Sequence, residues 1–138
     1  MKELTVDATI ENIAVVTDFV NEQLDRINCP METRFDIDVA IDELFGNIAR
    51  YAYGTGAGKA TVRFETVDHP SAVMITFTDS GTPFNPLDSA DPDIDRYMEE
   101  RRVGGLGIFF VKNMMDQMEY RYLDGQNILT IKKELGDH

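Results

Sequence analysis

Two polar side chains at helical spacing carry the first sign of chemistry in this chain. Glu43 and Asn47 are four residues apart, so both lie on one face of a helix, with Arg50 and Tyr51 one turn further on. An amide oxygen can ligate a hard cation, and a carboxylate can take a proton or position a water, so the pair suits a magnesium-nucleotide site. The alternative is a solvent-facing polar pair on a surface helix, which is the commoner case for such a pair alone.

A second candidate is the run Asp79-Ser80-Gly81-Thr82-Pro83-Phe84, which stands at the end of a predicted strand. A carboxylate at a strand end can accept a hydrogen bond from an adenine amino group, and a neighbouring glycine lets the backbone approach the ring. An ordinary Asp-Ser-Gly turn is the alternative.

The third candidate is Gly104-Gly105-Leu106-Gly107, which leads directly into a predicted helix. Glycines allow close approach of a ligand, and a helix N-terminus offers unpaired N–H groups to phosphate. A flexible hinge before a helix is the alternative.

Hydrophobic periodicity predicts the elements that must position these residues. Alternation indicates strands over residues 4–8, 59–67 and 72–78, and a final hairpin with strands at 120–123 and 127–131 around an Asp-Gly turn. Spacing of three and four indicates helices over residues 11–27, 31–53 and 108–118.

Details of the helices and of one long connection complete the predicted architecture. Thr9 is the expected N-cap of the first helix. The expected apolar stripe of the second helix consists of Phe35, Val39, Leu44, Ile48 and Ala52. Residues 79–107 are rich in acids, Gly and Pro and favour a lid over residues 85–103, with a short helix around 94–100. The order β-α-α-β-β-lid-α-β-β predicts an α+β sandwich, a mostly antiparallel sheet with helices on one face.

Length and charge narrow the function classes. The 138 residues fit one domain, expected to span 1–138. Thirteen Lys and Arg against 25 Asp and Glu give a net charge of −12, which argues against direct binding of nucleic acid through its phosphates. No apolar run reaches the roughly 18 residues of a membrane span, and no signal-peptide core follows Met1, so we expect no membrane partner and a cytoplasmic location.

Taken together and in this order, the three segments resemble the N box, G1 box and G2 box of the GHKL ATPase superfamily. Its members carry E-x-x-x-N-x-x-x-H-A-Y, D-x-G-x-P-F and G-G-L-G-[LI]. The residues that comply are Glu43, Asn47, Ala52, Tyr53, Asp79, Gly81, Pro83, Phe84, Gly104, Gly105, Leu106 and Gly107. Tyr51 departs from the pattern, because it stands where a histidine is usual. Over nearly its whole length the chain resembles the single-domain serine/threonine kinases that act as bacterial anti-sigma factors.

The resemblance implies a Bergerat sandwich that binds ATP between the helices and the lid. Asn47 would hold Mg²⁺, Asp79 would accept from the adenine amino group, and Glu43 would be the general base for the attacking hydroxyl. Gly105 and Gly107 would line the phosphates, and Arg102 would contact the γ-phosphate. The other cofactor-binding residues implied are Arg50, Gly81, Pro83, Phe84, Gly104 and Leu106.

The implied function is that of an ATP-dependent protein-serine kinase that phosphorylates a STAS-type anti-sigma factor antagonist. It would also bind a sigma factor when that antagonist is modified, and family members often form homodimers. One alternative is a non-catalytic switch module that binds ATP and a partner without transferring phosphate. Another is the catalytic domain of a sensor histidine kinase, which would need a partner to supply the phosphoacceptor histidine.

Overall fold

A five-stranded antiparallel sheet underlies the helices in the computed structural model, which describes residues 1–54, 56–68, 71–88 and 106–135. The strands are β1 (Lys2–Asp7), β2 (Lys59–Val67), β3 (Ala72–Asp79), β4 (Gln117–Leu123) and β5 (Gln126–Glu134). The helices are α1 (Ile13–Arg26), α2 (Met31–Asn47) and α3 (Leu106–Met114). The strands lie in the order β1-β2-β3-β5-β4, and every neighbouring pair is antiparallel. The predicted α+β class is confirmed.

The core lies between the helices and one face of the sheet. Alternate residues of the central strands point into it, as Val62 does from β2 and Phe77 from β3. Phe45 of α2 is fully buried against the same cluster, and α1 contributes Val20. Because each strand buries only every second side chain, the opposite face of the sheet carries mostly threonine and charged residues.

The second helix differs from its prediction in type and in orientation. α2 is followed by a π-helical turn over Ile48–Ala52, and Gly54, at φ 60°, ends the helical segment. Phe35, expected in the apolar stripe, is 67% exposed. The buried residues of α2 are instead Ile37, Ala40, Ile41, Leu44, Phe45 and Gly46. The prediction was wrong at Phe35 because apolar residues occur on both sides of this helix, so spacing alone does not decide which side packs.

Two helix ends also lie elsewhere than predicted. Thr9 forms no side-chain cap and precedes a 3₁₀ turn, while Asn12 is the N-cap residue of α1. α3 ends at Met114, whose carbonyl accepts a hydrogen bond of 2.6 Å from the Lys133 ammonium. Met118 belongs to β4, and its spacing of three and four residues from Met115 and Met114 had extended the apparent helical pattern.

The final hairpin is confirmed at its turn. Asp124 and Gly125 both adopt positive φ, at 53° and 77°, as a two-residue turn between twisted strands requires. The short helix expected around residues 94–100 and the lid beyond residue 88 lie outside the described residues. Within the described ranges, no helix is long and apolar enough to span a bilayer.

Two phenylalanines of α2 test the orientation of this helix. Phe45→Ala should lower the free energy of unfolding by about 3–5 kcal/mol, because a fully buried ring is lost and a cavity remains. Phe35→Ala, at a largely exposed position, should change it by less than about 0.5 kcal/mol. Urea denaturation followed by circular dichroism measures both values. A loss at Phe35 as large as that at Phe45 would contradict the observed packing.

Candidate functional site

A cavity of about 180 Å³ opens between the end of α2 and the sheet. Its apolar lining includes Leu44, Phe77 and Leu129, and its polar lining includes Asn47, Asp79 and Asn127. A mostly apolar pocket with a few convergent polar groups is the usual form of a small-molecule site. The structure therefore brings Asn47 and Asp79, predicted from two separate motifs, to one cavity.

Asp79 is the last residue of β3 and is 6% exposed. Its Oδ1 atom accepts two hydrogen bonds, from the Gly81 N–H at 2.9 Å and from the Asn127 amide at 3.0 Å. Because one oxygen is held from two directions, the carboxylate has a defined orientation at the cavity wall. The strand-end position that the sequence indicated is thus also a fixed one.

The turn after β3 packs directly on the end of the helical segment. The Thr82 N–H donates to the Ala52 carbonyl at 2.8 Å. Gly81 lies so close to that carbonyl that a Cβ atom at position 81 would overlap it. The Tyr53 hydroxyl donates to the Lys59 carbonyl at 2.6 Å and accepts from the Ser80 N–H at 2.8 Å. Ala52 and Tyr53 therefore join the first motif to the second through the backbone.

Glu43 connects the first motif to the third. It is half-buried on α2, and a Cβ atom added to Gly107 would overlap its carboxylate. Gly107 is the second residue of α3, so the carboxylate stands beside the first turn of that helix. Phosphate-binding N–H groups and a proton acceptor would thus be neighbours at this position.

The remaining predicted site residues divide into four groups. Pro83 and Phe84 line the mouth of the cavity together with Tyr51, which is 64% exposed at the position where a histidine is usual. Arg50 lies with its guanidinium over Gly46 and does not line the cavity. Leu106 begins α3. Arg102, Gly104 and Gly105 lie outside the described residues.

Asn127 is a site residue that the sequence analysis missed. It lies in β5 directly opposite Asp79 in the strand register, and it is 6% exposed. An amide at an inward position of an otherwise apolar strand, before Leu129 and Ile131, was the available signal. Only the pairing of β3 with β5 shows that this amide meets the carboxylate of the second motif.

The oxygen atoms near the cavity suit a magnesium ion that keeps most of its waters better than a metal ion that is held by protein ligands alone. Among the described residues, no cluster of three or more His, Cys, Asp and Glu side chains could hold a metal ion. Mg²⁺ usually keeps several waters and takes one or two protein oxygens together with substrate phosphates. The amide oxygen of Asn47, at the cavity wall, is a suitable single ligand of that kind.

Residues 6–133 match the family model of the histidine kinase-like ATPase domain. Since this match covers most of the chain, the chain belongs to that family, and the predicted ATPase membership is confirmed. Membership in an ATPase domain family implies the use of ATP.

Known proteins of the same architecture agree with this assignment. The chain is 25% identical over 134 residues to the serine-protein kinase RsbW of Bacillus mycoides, covering 94% of this chain and 82% of the relative. The structure is similar to the RsbU and RsbW domains of a Mycobacterium tuberculosis protein, with a TM-score of 0.62 and 18% identity. The similarity covers 98% of this chain and 33% of that one. It is also similar to a chain of the SiaB–SiaC complex of Pseudomonas aeruginosa, with TM-score 0.56 and 15% identity over 94% of this chain and 88% of that one.

Two glycines of the site should respond differently to a methyl group. Gly81→Ala should lower the free energy of unfolding by about 1–3 kcal/mol, because the added carbon meets the rigid Ala52 backbone. Gly107→Ala meets only the flexible end of Glu43, and the helix gains about 1 kcal/mol in propensity. Its net effect should therefore stay within about 1 kcal/mol of zero. Chemical denaturation of both variants checks this order, and equal losses would show that the two contacts are alike.

Proposed function

We propose that this chain is an ATP-dependent protein-serine kinase that phosphorylates a STAS-type anti-sigma factor antagonist and also binds a sigma factor. The observation that carries the proposal is the meeting of three motifs at one place. Asn47 and Asp79 line the same cavity, and the Glu43 carboxylate lies against Gly107 at the start of α3. Self-association as a homodimer belongs to the same proposal.

The adenine ring would occupy the apolar cavity. Asp79 would accept a hydrogen bond from the adenine amino group, since its carboxylate lines the cavity and has a fixed orientation. Gly81, packed on the Ala52 backbone, would let the loop approach the ring, and Pro83 and Phe84 would cover its edge at the cavity mouth. The apolar lining favours burial of the flat ring faces.

The phosphates would extend toward the first turn of α3. Its free N–H groups, with Gly104, Gly105, Leu106 and Gly107, would bind the phosphate oxygens, and Arg102 would contact the γ-phosphate. Asn47 would hold Mg²⁺, which neutralises the charge on the β- and γ-phosphates when it is bound. Arg50, whose guanidinium lies over Gly46 next to Asn47, would contribute a positive charge near the end of α2.

Glu43 would act as the general base. The oxygen of the antagonist serine attacks the γ-phosphorus, the bond from that phosphorus to the β–γ bridging oxygen breaks, and ADP leaves. Glu43 accepts the hydroxyl proton as the new bond forms. Its place beside the first turn of α3 supports this role, because that is where the transferred group would be bound.

A relative named serine-protein kinase, matched over 94% of this chain, supports kinase activity over the other ATPase functions of the family. One observation favours a second candidate, an ATP-binding switch module without phosphotransfer. Tyr51 replaces the usual histidine beside the cavity and is 64% exposed. The two candidates differ in the fate of the γ-phosphate, which a transfer assay measures directly.

Removing the base should separate catalysis from binding. Glu43→Gln keeps the size of the side chain but cannot accept the proton, so transfer from labelled ATP to an antagonist should fall by roughly 10²–10⁴ while ATP still binds. Asn47→Ala should lose magnesium-dependent binding as well as transfer.

Asp42→Asn, at the exposed neighbouring position, is the matched control and should keep full transfer. A wild-type protein that binds ATP and a partner but labels no antagonist would reject the kinase in favour of the switch module.

The adenine contact has its own test. Asp79→Asn should weaken ATP binding and reduce discrimination against GTP, because an amide can present a donor to the guanine carbonyl where a carboxylate cannot. Isothermal calorimetry with both nucleotides measures the two affinities. Unchanged ATP affinity in this variant would remove Asp79 from the proposed adenine site.

A further inference from the structure

Asn127 is the centre of a buried hydrogen-bond network at the base of the cavity. Its side chain is placed by β5 between Asp79, the turn after β3, and Tyr120 of β4. A buried amide in an apolar layer is costly unless its donors and acceptors are paired. In this structure they are all paired, and all of the partners belong to the wall of the cavity or to the turn beside it.

The hydrogen bonds of Asn127 use the full capacity of its amide. Nδ2 donates to Asp79 Oδ1 and to the Thr82 carbonyl, both at 3.0 Å, with a longer contact of 3.5 Å to the Gly81 carbonyl. Oδ1 accepts from the Tyr120 hydroxyl at 2.5 Å and from the Phe84 N–H at 3.1 Å. Rotating the amide by half a turn would set its oxygen against a carboxylate and a carbonyl, so the network permits only one orientation.

This orientation leaves Asp79 with a single unoccupied acceptor atom. Oδ1 already accepts from Asn127 and from the Gly81 N–H. Oδ2 has no hydrogen-bond partner among the described residues, yet no side-chain oxygen or nitrogen there is both fully buried and unpaired. Since Asp79 lines the cavity, Oδ2 is the atom that it offers to a ligand.

We propose that Asn127 is a positioning residue that sets the preference of the site for adenine over guanine. The proposal rests on the ATP site proposed above. Adenine needs one acceptor for its amino group. Guanine presents two adjacent donors, its ring N–H and its amino group, which match a carboxylate with two free oxygens. By occupying Oδ1 and preventing rotation of the carboxylate, Asn127 favours the single-acceptor match and disfavours the paired one.

Asn127→Asp tests the proposal through pH. At pH 8 the introduced carboxylate faces Asp79 and the Thr82 carbonyl without a proton to donate, so ATP affinity should fall by roughly 10–100-fold. On acidification toward pH 6, the pair of carboxylates takes up one shared proton, which can bridge them as the amide did. ATP affinity of the variant should therefore rise as the pH falls, while that of the wild type changes little over the same range.

Asn21→Asp is the matched control, because Asn21 makes an equivalent bond elsewhere. Its Nδ2 donates to Asp38 Oδ1 at 2.8 Å, between α1 and α2 and away from the residues that line the cavity. The substitution creates a comparable carboxylate pair at a half-buried position. It should leave ATP affinity and its pH dependence unchanged, which separates positioning of Asp79 from general destabilisation.

Tyr120→Phe keeps the proposal testable if Asn127→Asp does not fold. It removes one donor to Asn127 Oδ1 and leaves Asp79 itself intact. The ratio of ATP affinity to GTP affinity, measured by calorimetry on protein whose folding is checked by circular dichroism, should fall by about 3–10-fold. Folded variants that keep the wild-type ratio and a flat pH profile would overturn the role of Asn127 alone. A wild-type protein that binds neither nucleotide would overturn the proposed function and this inference with it.

Discussion

The hydrogen bond from the Thr82 N–H to the Ala52 carbonyl joins the sheet to the end of the helical segment, and the geometry of the cavity depends on it. Gly81 permits this contact because any side chain at that position would meet the same carbonyl. The Tyr53 hydroxyl adds a second link, between Ser80 and Lys59, across the neighbouring strands. With these bonds in place, Asp79 at the end of one strand faces the helix that carries Asn47. The π-helical turn at Ile48–Ala52 presents the Ala52 carbonyl to Thr82 at the end of that helix.

Charge sets the second constraint on the proposed site. A chain of net charge −12 with the carboxylates of Glu43 and Asp79 at its proposed ATP site must offset the repulsion of an anionic ligand locally. The proposed magnesium ion, the N–H groups of the first turn of α3 and Arg102 are the groups that would do so. Phosphoryl transfer depends mainly on positioning and charge neutralisation, so a short set of fixed groups is sufficient for the chemistry.

Element order and class followed from the sequence because hydrophobic alternation and helical spacing reflect how each segment buries one side. β2 begins and ends at the predicted residues, and the Asp124-Gly125 turn adopts the backbone that its residue types favour. Two of the errors share one cause. Phe35 and Met118 are apolar residues whose surroundings are decided by neighbouring elements, so local spacing assigned them to the wrong face or the wrong element. The sequence shows which residues are apolar, and the packing of the elements decides which of them are buried.

The sequence by itself determined the three motifs, their order and the class of chemistry they favour, because those properties lie in residue types at short spacing. It indicated Glu43, Asn47, Asp79 and Gly107 without any knowledge of distance between them. Only the tertiary structure decided that Glu43 lies beside Gly107, more than sixty positions further along the chain, and that Asn127 holds the carboxylate of Asp79. The reason is physical: antiparallel pairing of β3 with β5 sets Asp79 opposite Asn127, and a register of that kind depends on long-range contacts that no local pattern encodes.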